Sequence, residues 1–128
     1  TLRILGLLLA VYQMQPSSLI AIEEPEATVH PAVAELIVQV LLDAARDRQV
    51  LITTHSPDIL DSNELTDEQI RIVTSQTGRT TIAPLSLSSR QAVREHLYTP
   101  GELLRTNELT PDLEQVEQAP GQQDLFGS

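Results

Sequence analysis

The sequence predicts an α/β fold: three layers built around a parallel central strand pair and extended by a β-hairpin. Three observations lead there. Two short apolar runs, Leu19 to Glu23 and Gln49 to Thr53, stop abruptly on polar residues, Glu23-Glu24-Pro25-Glu26 in one case and Thr54-His55-Ser56-Pro57 in the other. A helix-length amphipathic segment, Ala32 to Arg48, lies between them, which makes a β–α–β crossover. Further on, Gln76-Thr77-Gly78 separates two runs rich in Val, Ile and Thr, the pattern of a hairpin.

The elements follow in order. Thr1 to Gln15 reads as a helix with apolar residues around most of its circumference, hence buried on more than one side. Pro16-Ser17-Ser18 breaks it. Leu19 to Glu23 is a continuous apolar strand, as expected of one covered on both faces. Pro25 to Pro31 is a loop, and Pro31 suits the first turn of a helix, where its missing N–H costs nothing. That helix is expected to run to about Arg48. Val33, Leu36, Ile37, Val40, Leu41 and Ala44 form its inward stripe, with Arg46 and Arg48 complementing its C-terminal dipole. Gln49 to Thr53 is the second strand, and Ser56-Pro57 opens a helical turn over Asp58 to Leu60. Ser62 to Glu68 reads as an acidic loop, and Gln69 to Ser75 and Arg79 to Leu85 as the hairpin strands. Ser88 or Ser89 is the expected cap of a helix through Leu97, and Pro100 to Leu104 forms another short one. This lobe is expected to occupy residues 1–105. From Thr106 the chain is acidic and rich in Gln and Pro, so residues 106–128 are expected to be a disordered tail.

Composition narrows the function. The chain has 128 residues, no Cys, and a net charge of −10. Disulfides and thiolate metal sites are excluded, which fits a reducing, cytoplasmic setting. The acidic balance argues against a broad nucleic-acid surface on this chain. There is no Lys, so the phosphate-binding G-x-x-x-x-G-K-[ST] loop is absent from it. The apolar opening, Leu2 to Val11, is too short to cross a membrane, which takes about 20 residues. With no initiator Met before Thr1, the expectation is a chain that starts partway through a larger protein.

A parallel pair joined by one crossover puts both strand C-termini on one edge of the sheet, where ligands of open α/β sheets bind. Glu23, Glu24 and His55 should therefore converge there. One carboxylate at such an edge can hold a Mg²⁺; another can deprotonate water. A histidine can hydrogen-bond a terminal phosphate. The alternative for the acids is an exposed strand end. His30, before Pro31, fits a helix N-terminus as well as a site. No HExxH or comparable zinc spacing is present.

Leu19 to Glu26 resembles the Walker B strand of ABC-type ATPase heads, closest to the RecF-like, SMC-like and OLD-like AAA group. Ala27-Thr28-Val29-His30-Pro31 resembles that group's D-loop, and Leu51 to Pro57 its H-loop with the switch histidine. The leading helix resembles the one after the ABC signature motif. The resemblance implies a P-loop NTPase-like half-domain: the C-terminal half of a head, with the P-loop, Q-loop and signature supplied from elsewhere. It implies ATP and Mg²⁺ as cofactors and hydrolysis of ATP, with this chain inactive alone. Glu23 takes the metal position, more often Asp in the family; Glu24 takes the catalytic-base position and His55 that of the γ-phosphate sensor. Ala27, Thr28, Val29 and His30 take an interface position. The implied partners are the N-terminal half of the same head, a second head in an ATP-sandwiched dimer, and DNA through the parent protein. Two other functions compete, namely an interaction domain that keeps the fold without catalysis, and a metal-dependent nuclease or phosphatase built on Glu23, Glu24 and His55. In the tail, Gln122, Asp124, Leu125 and Phe126 resemble the Gln-x-Asp-Leu-Phe peptide with which bacterial proteins bind the sliding clamp.

Overall fold

The computed structural model describes residues 2–13, 19–27 and 29–117. The chain divides between Glu64 and Leu65 into two compact units. The α/β class and the parallel pair are as the sequence predicts.

The first unit contains α1 (Leu2–Gln13), β1 (Ile20–Glu23), a single 3-10 turn (Pro31–Val33), α2 (Ala34–Ala44), β2 (Val50–Thr53) and the one-turn α3 (Pro57–Leu60). β1 and β2 pair in parallel, with Ile20 opposite Val50 and Glu23 opposite Thr53. The turn ahead of α2 begins as expected, with Pro31 in its first position and His30 as its cap; the His30 Nδ1 accepts from the Ala32 N–H at 3.2 Å. α2 ends at Ala44, four residues before Arg48. The chain then turns through Arg46 N–H to Asp43 C=O (3.2 Å) and Asp47 N–H to Ala44 C=O (3.4 Å) to reach β2. Arg48 therefore serves a different helix from the one expected. Its Nη1 donates to the Val11 carbonyl at 2.9 Å, one of the carbonyls left unpaired at the end of α1, and sets a cation at that helix's negative pole.

The core of this unit holds Val11, Ile20, Ala34, Ile37, Val38, Leu41, Ala44 and Ile59. Each fully buried Ile or Val contributes about 1.5–3 kcal/mol. The inward stripe of α2 is thus rotated from the expected one. Val38 is buried while Leu36 is exposed, because Glu35, Gln39 and Asp43 recur every four residues and Leu36 lies beside that polar stripe, with Val38 turned toward the opposite face. Two expectations of burial are corrected. α1 sinks Val11 but exposes Leu2 (84%), Leu5, Leu9 and Tyr12, a stripe at helical spacing. β1 and β2 are covered on one face only: Ile20 is buried, but Ala21, Glu23, Leu51 (57%) and Thr53 lie on an open face.

The second unit begins with a 3-10 turn (Asp67–Gln69) and the antiparallel hairpin β3 (Ile72–Gln76) and β4 (Arg79–Ala83). The hairpin makes its own two-stranded sheet and does not extend the parallel pair. Helices α4 (Leu87–Arg94), α5 (Pro100–Arg105) and α6 (Leu113–Glu117) follow. The cap of α4 is Ser86, which accepts from the Ser89 N–H, ahead of the Ser88 or Ser89 that the sequence suggests. α5 opens with a capping box between Thr99 and Glu102. Residues 106–117 correct the expected disorder. Ser86 N–H donates to Thr110 C=O (2.8 Å), Asp112 N–H donates to Pro84 C=O (2.9 Å), and the buried Ser89 hydroxyl donates to Glu108 C=O (3.2 Å). Backbone pairing, which composition does not report, holds this stretch. Asp67 is buried and ion-paired. Arg94 Nε donates to it at 3.1 Å, while Arg90 Nε lies at ion-pair distance (3.4 Å) without hydrogen-bond alignment. Chiefly through that hydrogen bond, Asp67 raises the pKa of the Arg94 guanidinium.

Candidate active site at the strand ends

The site forms where β1 and β2 end side by side. Pairing continues one step past the last register pair: Glu24 N–H donates to Thr53 C=O at 2.8 Å. Glu24 then adopts φ +44, a left-handed conformation that costs a non-glycine residue roughly 1–2 kcal/mol. The Glu24 carbonyl accepts from Ala27 N–H at 2.9 Å, closing a tight turn over Pro25 and Glu26. Glu23 keeps the strand's alternation and stays on the open face with Ala21. Glu23 and Glu24 therefore diverge because the backbone turns at Glu24, as well as by strand alternation.

His55 lies two residues past the end of β2, within reach of Glu24. Nε2 is 3.8 Å from Glu24 Oε1, an ion-pair distance when the imidazole is protonated and too long for a hydrogen bond. The His55 side chain is 94% exposed and that of Glu24 46% exposed. Two reactive groups thus meet at an open edge. Solvent screening makes their mutual attraction small, so the pairing reports proximity and not stability.

The residues next to them in sequence make a contact that the sequence alone did not single out. The Thr54 hydroxyl donates to Glu26 Oε1, and Thr54 Oγ1 accepts from Ser56 N–H at 2.9 Å. The signal available in sequence was the third carboxylate of Glu-Glu-Pro-Glu and the Thr-Thr before His55. Of the expected interface residues, Ala27 and Val29 are half-buried in the turn after Glu24 and His30 caps the following turn. Thr28 lies outside the described residues, as do Gln122, Asp124, Leu125 and Phe126.

Among the described residues, no three His, Asp or Glu side chains gather to hold a metal unaided. No helix among them is long and apolar enough to cross a membrane.

Residues 1–61 match the model of a family described as "AAA domain, putative AbiEii toxin, Type IV TA system". No curated protein matches the chain. A solved chain from work on the ATP-driven dimerization and DNA-stimulated activation of SMC ATPases aligns with a TM-score of 0.53 at 15% identity. The alignment covers 73% of this chain and 56% of that one, so the present chain spans little more than half of its structural relative. At that identity the likeness concerns the fold.

Proposed function

We propose that this chain supplies the water-activating and phosphate-sensing edge of an ABC-type ATPase head. The observation that carries this reading is the meeting of Glu24 and His55, 3.8 Å apart, at the C-terminal edge of a parallel pair. Glu24 acts as the general base that orients and deprotonates water, and His55 hydrogen-bonds the γ-phosphate. Both are exposed, as groups must be that meet a nucleotide brought by other residues. Catalysis of this kind is mainly positioning and charge stabilisation.

The donor set suits Mg²⁺ in a limited way. Glu23 offers a hard carboxylate oxygen on the open face, and Mg²⁺ is commonly held by one or two carboxylates plus phosphates and water. When bound, such an ion neutralises charge on the phosphates. Glu23 would hold it, directly or through water.

The reading assigns three partners. The N-terminal half of the head brings the P-loop and packs on apolar surface of this chain; the open face at Ala21 and Leu51 and the α1 stripe at Leu2, Leu5, Leu9 and Tyr12 are suited to that. A second head sandwiches ATP and meets residues 27–30, and DNA is contacted through the parent protein. The cytoplasm is the compartment in which this chemistry would operate.

ATP turnover tests the reading. The isolated chain, lacking a phosphate cradle, should hydrolyse ATP negligibly. In the complete head, Glu24→Gln should slow turnover at least about a hundredfold, the range for losing a general base, while ATP remains bound. Near-wild-type turnover in that variant would remove Glu24 as the base. Turnover by the isolated chain that Glu24→Gln abolishes would show that the site is a different kind of hydrolase.

A further inference from the structure

We propose that Glu26 is a positioning residue, acting through Thr54 to hold His55 in register with Glu24. The argument begins with what the Thr54 hydroxyl does. It donates its hydrogen to Glu26 Oε1 and uses a lone pair to accept from Ser56 N–H at 2.9 Å. Donation to Glu26 fixes the rotor, and the fixed rotor presents its lone pair to the amide two residues on. Thr54 and Ser56 flank His55, so the backbone that carries the imidazole is pinned on both sides by one oxygen.

Glu26 is pinned in turn. It lies within the turn closed by Ala27 N–H on the Glu24 carbonyl, and Glu24 N–H is bonded to Thr53 C=O. The ends of the two strands are therefore tied twice, by backbone at Glu24–Thr53 and by side chains at Glu26–Thr54. The side-chain tie is half-buried, while the neighbouring His55 and Glu24 side chains are open to solvent.

Stability alone is a poor reason for this carboxylate. Glu26 Oε2 is buried and has no hydrogen-bond partner among the described residues. A polar atom left in that state costs roughly 1–3 kcal/mol, more when charged. A part-buried side-chain tie next in sequence to an exposed reactive pair has the pattern of a support that keeps groups meeting substrate in place.

Two measurements test this, the first independent of the ATPase reading. Amide hydrogen exchange on this chain reports the Ser56 N–H directly. Thr54→Val and Glu26→Leu should each speed exchange at Ser56 by about tenfold or more, the equivalent of losing about 1.4 kcal/mol of local protection. Thr54→Ser and Glu26→Gln, which keep a hydroxyl and an acceptor, should leave it near wild type. The Leu41 amide in α2 should stay protected in all four, showing that the fold persists. Unchanged Ser56 exchange in both Thr54→Val and Glu26→Leu would overturn the proposal.

The second measurement rests on the proposed function. In the complete head, Glu26→Leu should lower kcat by about tenfold or more with little change in KM for ATP, the mark of misplaced chemistry and not of lost binding. Glu26→Gln should restore the rate relative to Glu26→Leu. If Glu24→Gln abolishes turnover but Glu26→Leu retains the wild-type kcat, the positioning role is wrong and the ATPase reading stands. If Glu24→Gln has no effect, the ATPase reading fails, and the exchange result at Ser56 still decides the tie.

Discussion

At His96 the backbone φ is +55, and what the residue does there is turn the chain. His96 N–H donates to Val93 C=O at 3.1 Å and Leu97 N–H to Ala92 C=O at 3.0 Å, the paired bonds of a Schellman cap on α4. Asn107, at φ +58, repeats the arrangement on α5, with its N–H on Leu104 C=O at 3.2 Å and Glu108 N–H on Leu103 C=O at 2.8 Å. Asn tolerates the left-handed region through its short polar side chain; His does so less well. Relief of strain by Gly outweighs the added unfolded-chain entropy where the native residue is poorly suited. His96→Gly should therefore stabilise the protein by about 0.5–1 kcal/mol in denaturant unfolding, and Asn107→Gly by less. A loss of stability in His96→Gly would mean that the exposed imidazole makes contacts worth more than the strain. Glu24 carries the same backbone strain at φ +44, but there the side chain is the candidate base, so relief by Gly would remove the chemistry.

The hairpin shows how an element can be right in outline and strained in detail. Gln76 pairs with Arg79, leaving Thr77 and Gly78 as a two-residue loop with φ +50 and φ +80. Two positive φ values make a type I′ turn, whose favoured sequence is Asn-Gly. Gly78 suits its position; a β-branched Thr does not suit the one before it. Thr77→Asn should raise stability by roughly 0.5–1 kcal/mol. A Cβ added at Gly78 meets nothing within 4 Å, so the cost of Gly78→Ala comes from the backbone alone, about 1–2 kcal/mol. Thermal and urea unfolding of the two variants should move in opposite directions, and parallel shifts would show that the turn is not type I′ in solution. The capping box on α5 is the converse case, where local chemistry and the observed element agree fully.

At the scale of the molecule, the chain resolves into two units where one lobe over residues 1–105 was expected, and described structure runs on to residue 117. The residues beyond 117 bear on partners. We propose that Gln122, Asp124, Leu125 and Phe126 form a clamp-binding peptide, an expectation that rests on sequence. Such peptides work by presenting an apolar anchor to a preformed pocket. The peptide from Ala119 to Ser128 should bind the cognate sliding clamp with Kd in about the micromolar range, near −8 kcal/mol. Leu125→Ala with Phe126→Ala should abolish that binding, measured by titration calorimetry. No saturable binding at high micromolar concentration would end the idea.

The sequence by itself determined the parallel pair, the crossover between its strands, and the edge on which Glu24 and His55 meet. Short apolar runs, a helical spacer and the handedness of crossovers leave few alternatives. It also placed the hairpin and the α5 start, because turn and cap chemistry is local. It also marked the inward face of α2, opposite Glu35, Gln39 and Asp43, although the stripe expected through Leu36 was drawn too close to that polar side. It misjudged burial of α1 and of the strand pair, because apolarity says that a surface should be covered, not that this chain covers it. Nor did it show order after Thr106, where backbone bonds to Pro84 and Ser86 hold residues of polar composition. The Glu26–Thr54 tie was decided by tertiary structure for the same reason. A hydrogen bond between two loops depends on where the strands end in space, and no periodicity in the chain encodes that distance.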